Sequence, residues 1–451
     1  MTRLVLRDLT QHLSDWAWTF LVALACAVAV SGELAAVNGA VASARAHHQP
    51  ELADSATTAA VLCLVFVAMA AVSVLLSVCG LVISRRRRDL GLWRALGMRP
   101  ATAGGVLLAE VALVGAVAGL AGSVLAVPAG RALLVLLIRE QMALPGSRPL
   151  WSVGGGVGCL LITACVCCLG SAGVVRRAAV EPEAQALREG PGSRARTVRL
   201  GSAVRVLLAL GAVGGLVAAL LVRATGQDGP ALKAVGAGFA LFALVVIVAP
   251  WLTPVFERML GSLGGSRSVV WHVAGRSCAV DSRRSSATTL PFAIAIGLVG
   301  LFFGWRASGA SGVTPSSFLA LLGPALFVAW AGGVAVLAMG AQQRQRDGAL
   351  LTAAGARDGQ LIAIDLLEGV FHTVSAILLG LIVTVGSMLA AARSFDLDAA
   401  TVLSRGPWLQ VGAMSAATLL VVSVSVVVSR WASGHGTASG SGAMVVWRAS
   451  D

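Results

Sequence analysis

Residues 85–122 read RRRRDLGLWRALGMRPATAGGVLLAEVALVGAVAGLAG, and residues 343–380 read QRQRDGALLTAAGARDGQLIAIDLLEGVFHTVSAILLG. The second stretch repeats the first without a gap at a constant offset of 258 positions. Arg88 meets Arg346, Asp89 meets Asp347, Gly97 meets Gly355, Arg99 meets Arg357, Glu110 meets Glu368 and Gly122 meets Gly380. Chance similarity between apolar sequences pairs Ala, Leu and Val. Here the matched residues are charges, scarce in this chain, and glycines, which are tied to backbone geometry.

Each repeat is expected to open with a charged turn and continue as a short helix. In 86–97, Leu90, Trp93 and Leu96 recur at every third position with Leu92 beside them. That spacing draws one apolar stripe on an otherwise charged helix. Gly97 is a suitable helix stop. Such a helix can lie on a membrane surface or dock in a partner's groove. The preserved pattern of charge and glycine favours docking.

The rest of the chain fixes the solvent. Of 451 residues, 57% are hydrophobic and 12% charged, with a mean hydropathy of +0.85. Soluble domains carry about 25% charged residues. Half that charge leaves too little polar surface to face water, so the bilayer must solvate most of the chain. Apolar runs recur at 16–37, 57–83, 104–138, 152–175, 204–222, 234–254, 287–305, 317–340, 361–392 and 408–430. They predict an all-α integral membrane protein of about ten transmembrane helices. The strands of a barrel would alternate polar and apolar residues instead. The run at 104–138 and the run at 361–392 are long enough to tilt or to extend past the bilayer. The first run is too long for a signal core and reads as an uncleaved helix.

The net charge is +13, and Lys233 is the sole lysine. The arginines lie between apolar runs rather than on one face, which argues against nucleic-acid binding. With the N-terminus inside, about 25 of the 34 basic residues fall on the cytoplasmic side, Arg85 to Arg88 among them, and about nine outside. Both termini are then cytoplasmic. The repeats occupy the same slot, between the second and third helix of a four-helix set. Helices one to four and seven to ten form two parallel sets, with helices five and six bridging them. The outer loops are short. Segment 176–203 reads as a linker, and residues 433–451, rich in Gly and Ser, as a disordered tail.

Glu110 and Glu368 are expected in the first turns of the third and ninth helices. There the helix dipole and a nearby Arg would favour a structural carboxylate over proton coupling. Gly115, Gly119 and Gly122, like Gly211 and Gly215, are spaced for close helix approach. No metal or catalytic constellation emerges. Cys165, Cys167 and Cys168 have no acid or His nearby and read as small apolar fillers. His47 and His48, with Glu51 and Asp54, read as a solvated loop. His12, His272, His372 and His435 are scattered. A nucleotide-binding P-loop needs Gly-Lys-Ser/Thr, and the one lysine stands in ALKAVG.

The stretch from Arg85 to Arg139 resembles the FtsX-like permease domain of ABC transporters, the type found in macrolide exporters, lipoprotein-release systems and bacitracin-resistance transporters. The resemblance rests on the basic run, the acidic residue, the helix ending in Ala-Leu-Gly and the long helix carrying Glu110. RRAAVEPEAQALREG, with Pro182, Ala186, Leu187 and Arg188, resembles the close of that domain. Residues 276–300 resemble its opening, and the N-terminal RDLTQHLSDWAWTFLVALA is a weaker version of it. The resemblance implies two FtsX-like repeats, 1–188 and 261–432, joined by a linker and bridging helices over 189–260. It implies that 85–103 and 343–360 are coupling helices for a cytoplasmic ABC ATPase. The contact residues would be Arg88, Asp89, Leu92, Trp93, Leu96, Gly97 and Arg99 in the first. They would be Arg346, Asp347, Leu350, Gly355 and Arg357 in the second. Gly348 and Thr352 replace Leu90 and Arg94, which implies a weaker, asymmetric second contact.

It follows from the resemblance that the chain binds no cofactor, catalyses nothing itself, and leaves ATP and Mg to the partner, two ATPase copies per chain. The expected role is export or extraction of a hydrophobic or amphipathic substrate across the plasma membrane. A composition rich in Arg, Ala, Gly and Val points to a high-GC bacterium. The alternatives are a signalling subunit that transmits force without transport and, less favoured, a secondary transporter.

Overall fold

A computed structural model describes residues 13–180, 198–221, 229–264, 268–280, 282–307 and 314–438. The close of the first repeat expected at Pro182 to Arg188 therefore lies outside the described residues, as does the tail beyond 438.

The described residues form helices and no strand. In chain order these are α1 (Leu13–Ala46), α2 (Pro50–Arg85), α3 (Arg87–Ala95), α4 (Pro100–Val124), α5 (Ala126–Arg139), α6 (Val153–Val180) and α7 (Val198–Leu221). They continue with α8 (Gly229–Leu263), α9 (Val269–Val280), α10 (Ser282–Ala307), α11 (Pro315–Ala353), α12 (Asp358–Ser394), α13 (Ala399–Ser404) and α14 (Trp408–Ala438). Pro50, Pro100 and Pro315 each stand in a first helical turn. A proline costs nothing there, because the missing N–H has no partner inside the helix. Thr314 caps α11, and its side chain accepts from the Ser317 N–H.

Among the described residues, nine helices are long and apolar enough to cross a membrane. They are α1, α2, α4, α6, α8, α10, α11, α12 and α14. The expected fifth span, 204–222, falls in α7, whose apolar described stretch is the shorter Val206–Ala218. The expected third span, 104–138, is two helices. Pro128 has no N–H to give the Val124 carbonyl, so the helix breaks at Leu125 and restarts as α5. Residues 433–438, expected in the disordered tail, continue α14.

The most apolar window of α10 is entirely buried, whereas those of α6, α8 and α14 are 28% buried. So α10 is the centre of the bundle, and the other three present Leu161, Leu169, Met259, Leu409 and Leu420 to lipid. The small residues of α4 serve two neighbours. Gly119 lies against Leu160 of α6, and Gly122 against Ala27 of α1. In the second half Gly380 lies against Ile296 of α10, so matched glycines set matched crossings. Gly211 has no atom within 4 Å of where a Cβ would stand, so it makes no close approach.

The two halves meet along α2 and α11. The Cys63 thiol donates to the Leu321 carbonyl, and Val74 abuts Gly332. Both contacts step forward together along the two helices, so α2 and α11 run in the same direction. At the opposite end from their C-termini, the Thr314 hydroxyl donates to Glu140 Oε1 at 3.1 Å and ties α11 to the end of α5.

Candidate functional site

Because α2 and α11 are parallel, the segments that follow them, 85–103 and 343–360, emerge at one end of the bundle. Their local geometry repeats bond for bond. In the first, Gly97 N–H donates to Arg94 O and Met98 N–H to Trp93 O. In the second, Gly355 N–H donates to Thr352 O and Ala356 N–H to Leu351 O. These are paired Schellman closures, and each needs a left-handed residue. Gly97 has φ 92° and Gly355 φ 94°. Arg99 and Arg357 then hold the extended conformation that starts the next helix.

The stripe foreseen on α3 is divided between two surfaces. Leu90 is 2% exposed and Trp93 is half-buried against the core, but Leu92 and Leu96 face outward, Leu96 at 86% exposure. Leu350, the counterpart of Leu92, is 72% exposed. Asp89 is half-buried, while Arg99, Asp347 and Arg357 are exposed. The Arg88 and Arg346 side chains lie outside the described residues. Leu92, Leu96 and Leu350 are thus exposed apolar side chains at this end of the bundle.

The two segments differ in how they leave their spans. The first is a separate helix, since the chain tightens at Arg86, whose N–H is shared between Val82 O and Ile83 O. The second is no separate helix: α11 runs unbroken from the membrane through Arg344 to Ala353. An ion pair accompanies the break. Arg86, 1% exposed, pairs with Glu110 of α4 and lies 5.9 Å from the Trp16 ring centroid. Its counterpart Arg344 donates to Leu337 O of its own helix at 3.0 Å.

Neither Glu110 nor Glu368 is in a first turn. Both α4 and α12 begin ten residues earlier, at Pro100 and Asp358, about 15 Å away along the helix. Hydropathy marks where a helix enters lipid rather than where it begins, and the favourable helix-end field fades within one turn. Glu110 is fully buried. Glu368 is half-exposed and lines a cavity of about 460 Å³ with His272, Arg276, Arg344, Asp347 and Asp365. The first half closes over a buried ion pair at this level, and the second has a cavity beside the end of α11.

Three buried carboxylates escaped the sequence reading: Asp365 of α12 at the cavity, and Glu33 and Glu257. Glu33 in α1 is 2% exposed and borders a cavity of about 20 Å³, room for about one water, beside Cys63. Glu257 in α8 is fully buried and accepts from His372. A single acid within an apolar run was the signal for Glu33 and Glu257.

The architecture defines a multi-pass helical membrane protein of the permease type, with a pair of matched segments at one end. Residues 61–180, from within α2 to the end of α6, match the family model of the FtsX-like permease C-terminal domain, so this stretch is similar to an FtsX-like permease domain. No curated protein matches the chain. FtsX-like permeases are typically non-enzymatic membrane subunits that work with ABC ATPase partners.

Proposed function

We propose that this chain is the transmembrane subunit of an ABC transporter and couples ATP hydrolysis in a separate ATPase to movement of a hydrophobic or amphipathic substrate. The observation that carries the reading is the pair of identically closed segments at one end of the bundle, each with an exposed leucine. One chain offers two such segments, so it binds two ATPase copies. In this reading residues 261–432 form a second FtsX-like domain, both termini are cytoplasmic, and the host membrane is a bacterial plasma membrane. ATP-driven closure of the ATPases presses on α3 and on the end of α11. The second contact goes straight into a transmembrane helix, while the first passes through the hinge at Arg86. Short outer loops leave the bilayer itself as the source of substrate, a lipid, lipopeptide or amphipathic antibiotic.

Purification from native membranes followed by mass spectrometry tests the partnership. An ATPase subunit should co-purify at about two copies per chain. Recovery without any ATPase, or labelling of Arg99→Cys and Arg357→Cys from opposite faces of the membrane, would overturn the proposal.

A further inference from the structure

Three donors from three helices converge beside the cavity of the second half. They are Glu257 of α8, Cys278 of α9 and His372 of α12, with exposures of 0%, 3% and 9%. Their ligating atoms all lie within 4.8 Å of one another. His372 Nδ1 is 2.8 Å from Glu257 Oε1, and Glu257 Oε2 has no hydrogen-bond partner. A buried carboxylate oxygen without a partner is costly, and it calls for a cation or a proton.

We propose that Glu257, Cys278 and His372 form a zinc site. One sulfur, one nitrogen and one oxygen donor make a borderline set that suits Zn²⁺ better than the oxygen-preferring Mg²⁺ or Ca²⁺. Charge balance supports the same ion. A thiolate and a carboxylate cancel its two positive charges, so the buried complex is neutral and avoids the penalty of an uncompensated charge. Tetrahedral zinc spaces its donors about 3.3–3.7 Å apart. The His372–Glu257 pair opens by about half an ångström, and the thiol moves inward by at most about 1.3 Å. On binding, Cys278 gives up its thiol proton, and the imidazole coordinates through Nδ1 with its proton on Nε2.

The surroundings fit such a site. Trp271 meets Phe371 edge-on at 5.1 Å, and its indole N–H donates to Gly261 O at 3.1 Å, which clamps α9 onto the end of α8. The result is an apolar wall around the donors. Glu368, one turn before His372, and Ser277, next to Cys278, both line the cavity of about 460 Å³. That cavity is the entry path and supplies the fourth ligand, water or a substrate group. Bound zinc would join α8, α9 and α12 beside Asp347 of the second coupling segment.

The test uses the full chain, purified in detergent with a tag free of histidine. Elemental analysis should find about one zinc per chain. Replacement by Co²⁺ should give tetrahedral visible bands and a thiolate-to-cobalt charge-transfer absorption. Cys278→Ser should abolish that absorption, and His372→Gln should weaken metal binding at least about tenfold. The His47→Gln, His48→Gln double variant should bind as the wild type does. If the wild-type chain shows no thiolate band with stoichiometric cobalt, the proposal fails even if the variants misfold. It fails equally if folded Cys278→Ser keeps the band or undiminished zinc.

Discussion

Val74 of α2 faces Gly332 of α11, the residue that holds its own position in the second half; a Cβ at 332 would stand 2.1 Å from Val74 Cγ1. Cys63 and Leu321 stand in the same relation, 258 positions apart and joined by a hydrogen bond. A residue touches its counterpart only near a symmetry axis. The axis therefore runs between α2 and α11, and it places the segments 85–103 and 343–360 at one end of the molecule.

This contact predicts a rescue. Gly332→Ala should destabilise the protein by about 1–3 kcal/mol through overpacking. Val74→Ala should restore most of the loss, because it removes the methyl groups that clash. Thermal unfolding in detergent of both single variants and the double measures it. Additive losses would mean that the interface adjusts elsewhere.

The Arg86–Glu110 pair predicts a non-additive cycle. Both residues are essentially without exposure. Glu110→Leu alone should cost about 3–5 kcal/mol by removing the carboxylate that pairs with the buried Arg86. Arg86→Met with Glu110→Leu should recover most of it. Glu368→Leu should cost far less, since Glu368 borders an open cavity. Denaturation midpoints in mild detergent give the comparison.

The exposed leucines predict a binding defect without a folding defect. Leu96→Glu and Leu350→Glu remove nothing from the core, given exposures of 86% and 72%. Thermal stability should stay within about 0.5 kcal/mol. ATPase co-purification should weaken about tenfold or more, the loss of a leucine buried at an interface. Leu90→Glu, buried at 2% exposure, should instead unfold the segment.

Asp398 predicts an acid-dependent loop. Its carboxylate accepts from Thr401 N–H at 2.9 Å and Thr401 Oγ1 at 2.8 Å, capping α13. The backbone bond first, then the hydroxyl, hold its pKa below the ordinary 3.8. The unfolded chain therefore binds the proton more readily. The cap's contribution is complete above 3.8 and is lost as the pH falls through the lower folded value. The melting temperature of Asp398→Asn should lie below wild type at neutral pH, with the gap closing in acid. A gap that widens on acidification would contradict the cap.

Gly97 and Gly355 were readable because a helix closure needs left-handed backbone, and that need is local. The break at Pro128 was equally local, a missing N–H within an apolar run that hydropathy averages over. Arg86 was harder. It sits in a run of four arginines, and only its burial against Glu110 and Trp16 sets it apart. Glu257, Cys278 and His372 carry no common spacing, since three separate helices bring them together.

The sequence by itself determined that the chain lives in a bilayer, that it is built from a duplicated unit, and where each unit's charged segment closes. Those properties depend on composition and on contacts a few residues apart. Only the tertiary structure decided which arginine is buried, which leucines face outward, and which half opens a cavity. These depend on helix rotation and crossing, and small residues such as Gly122, Gly332 and Gly380 set that geometry through neighbours far along the chain.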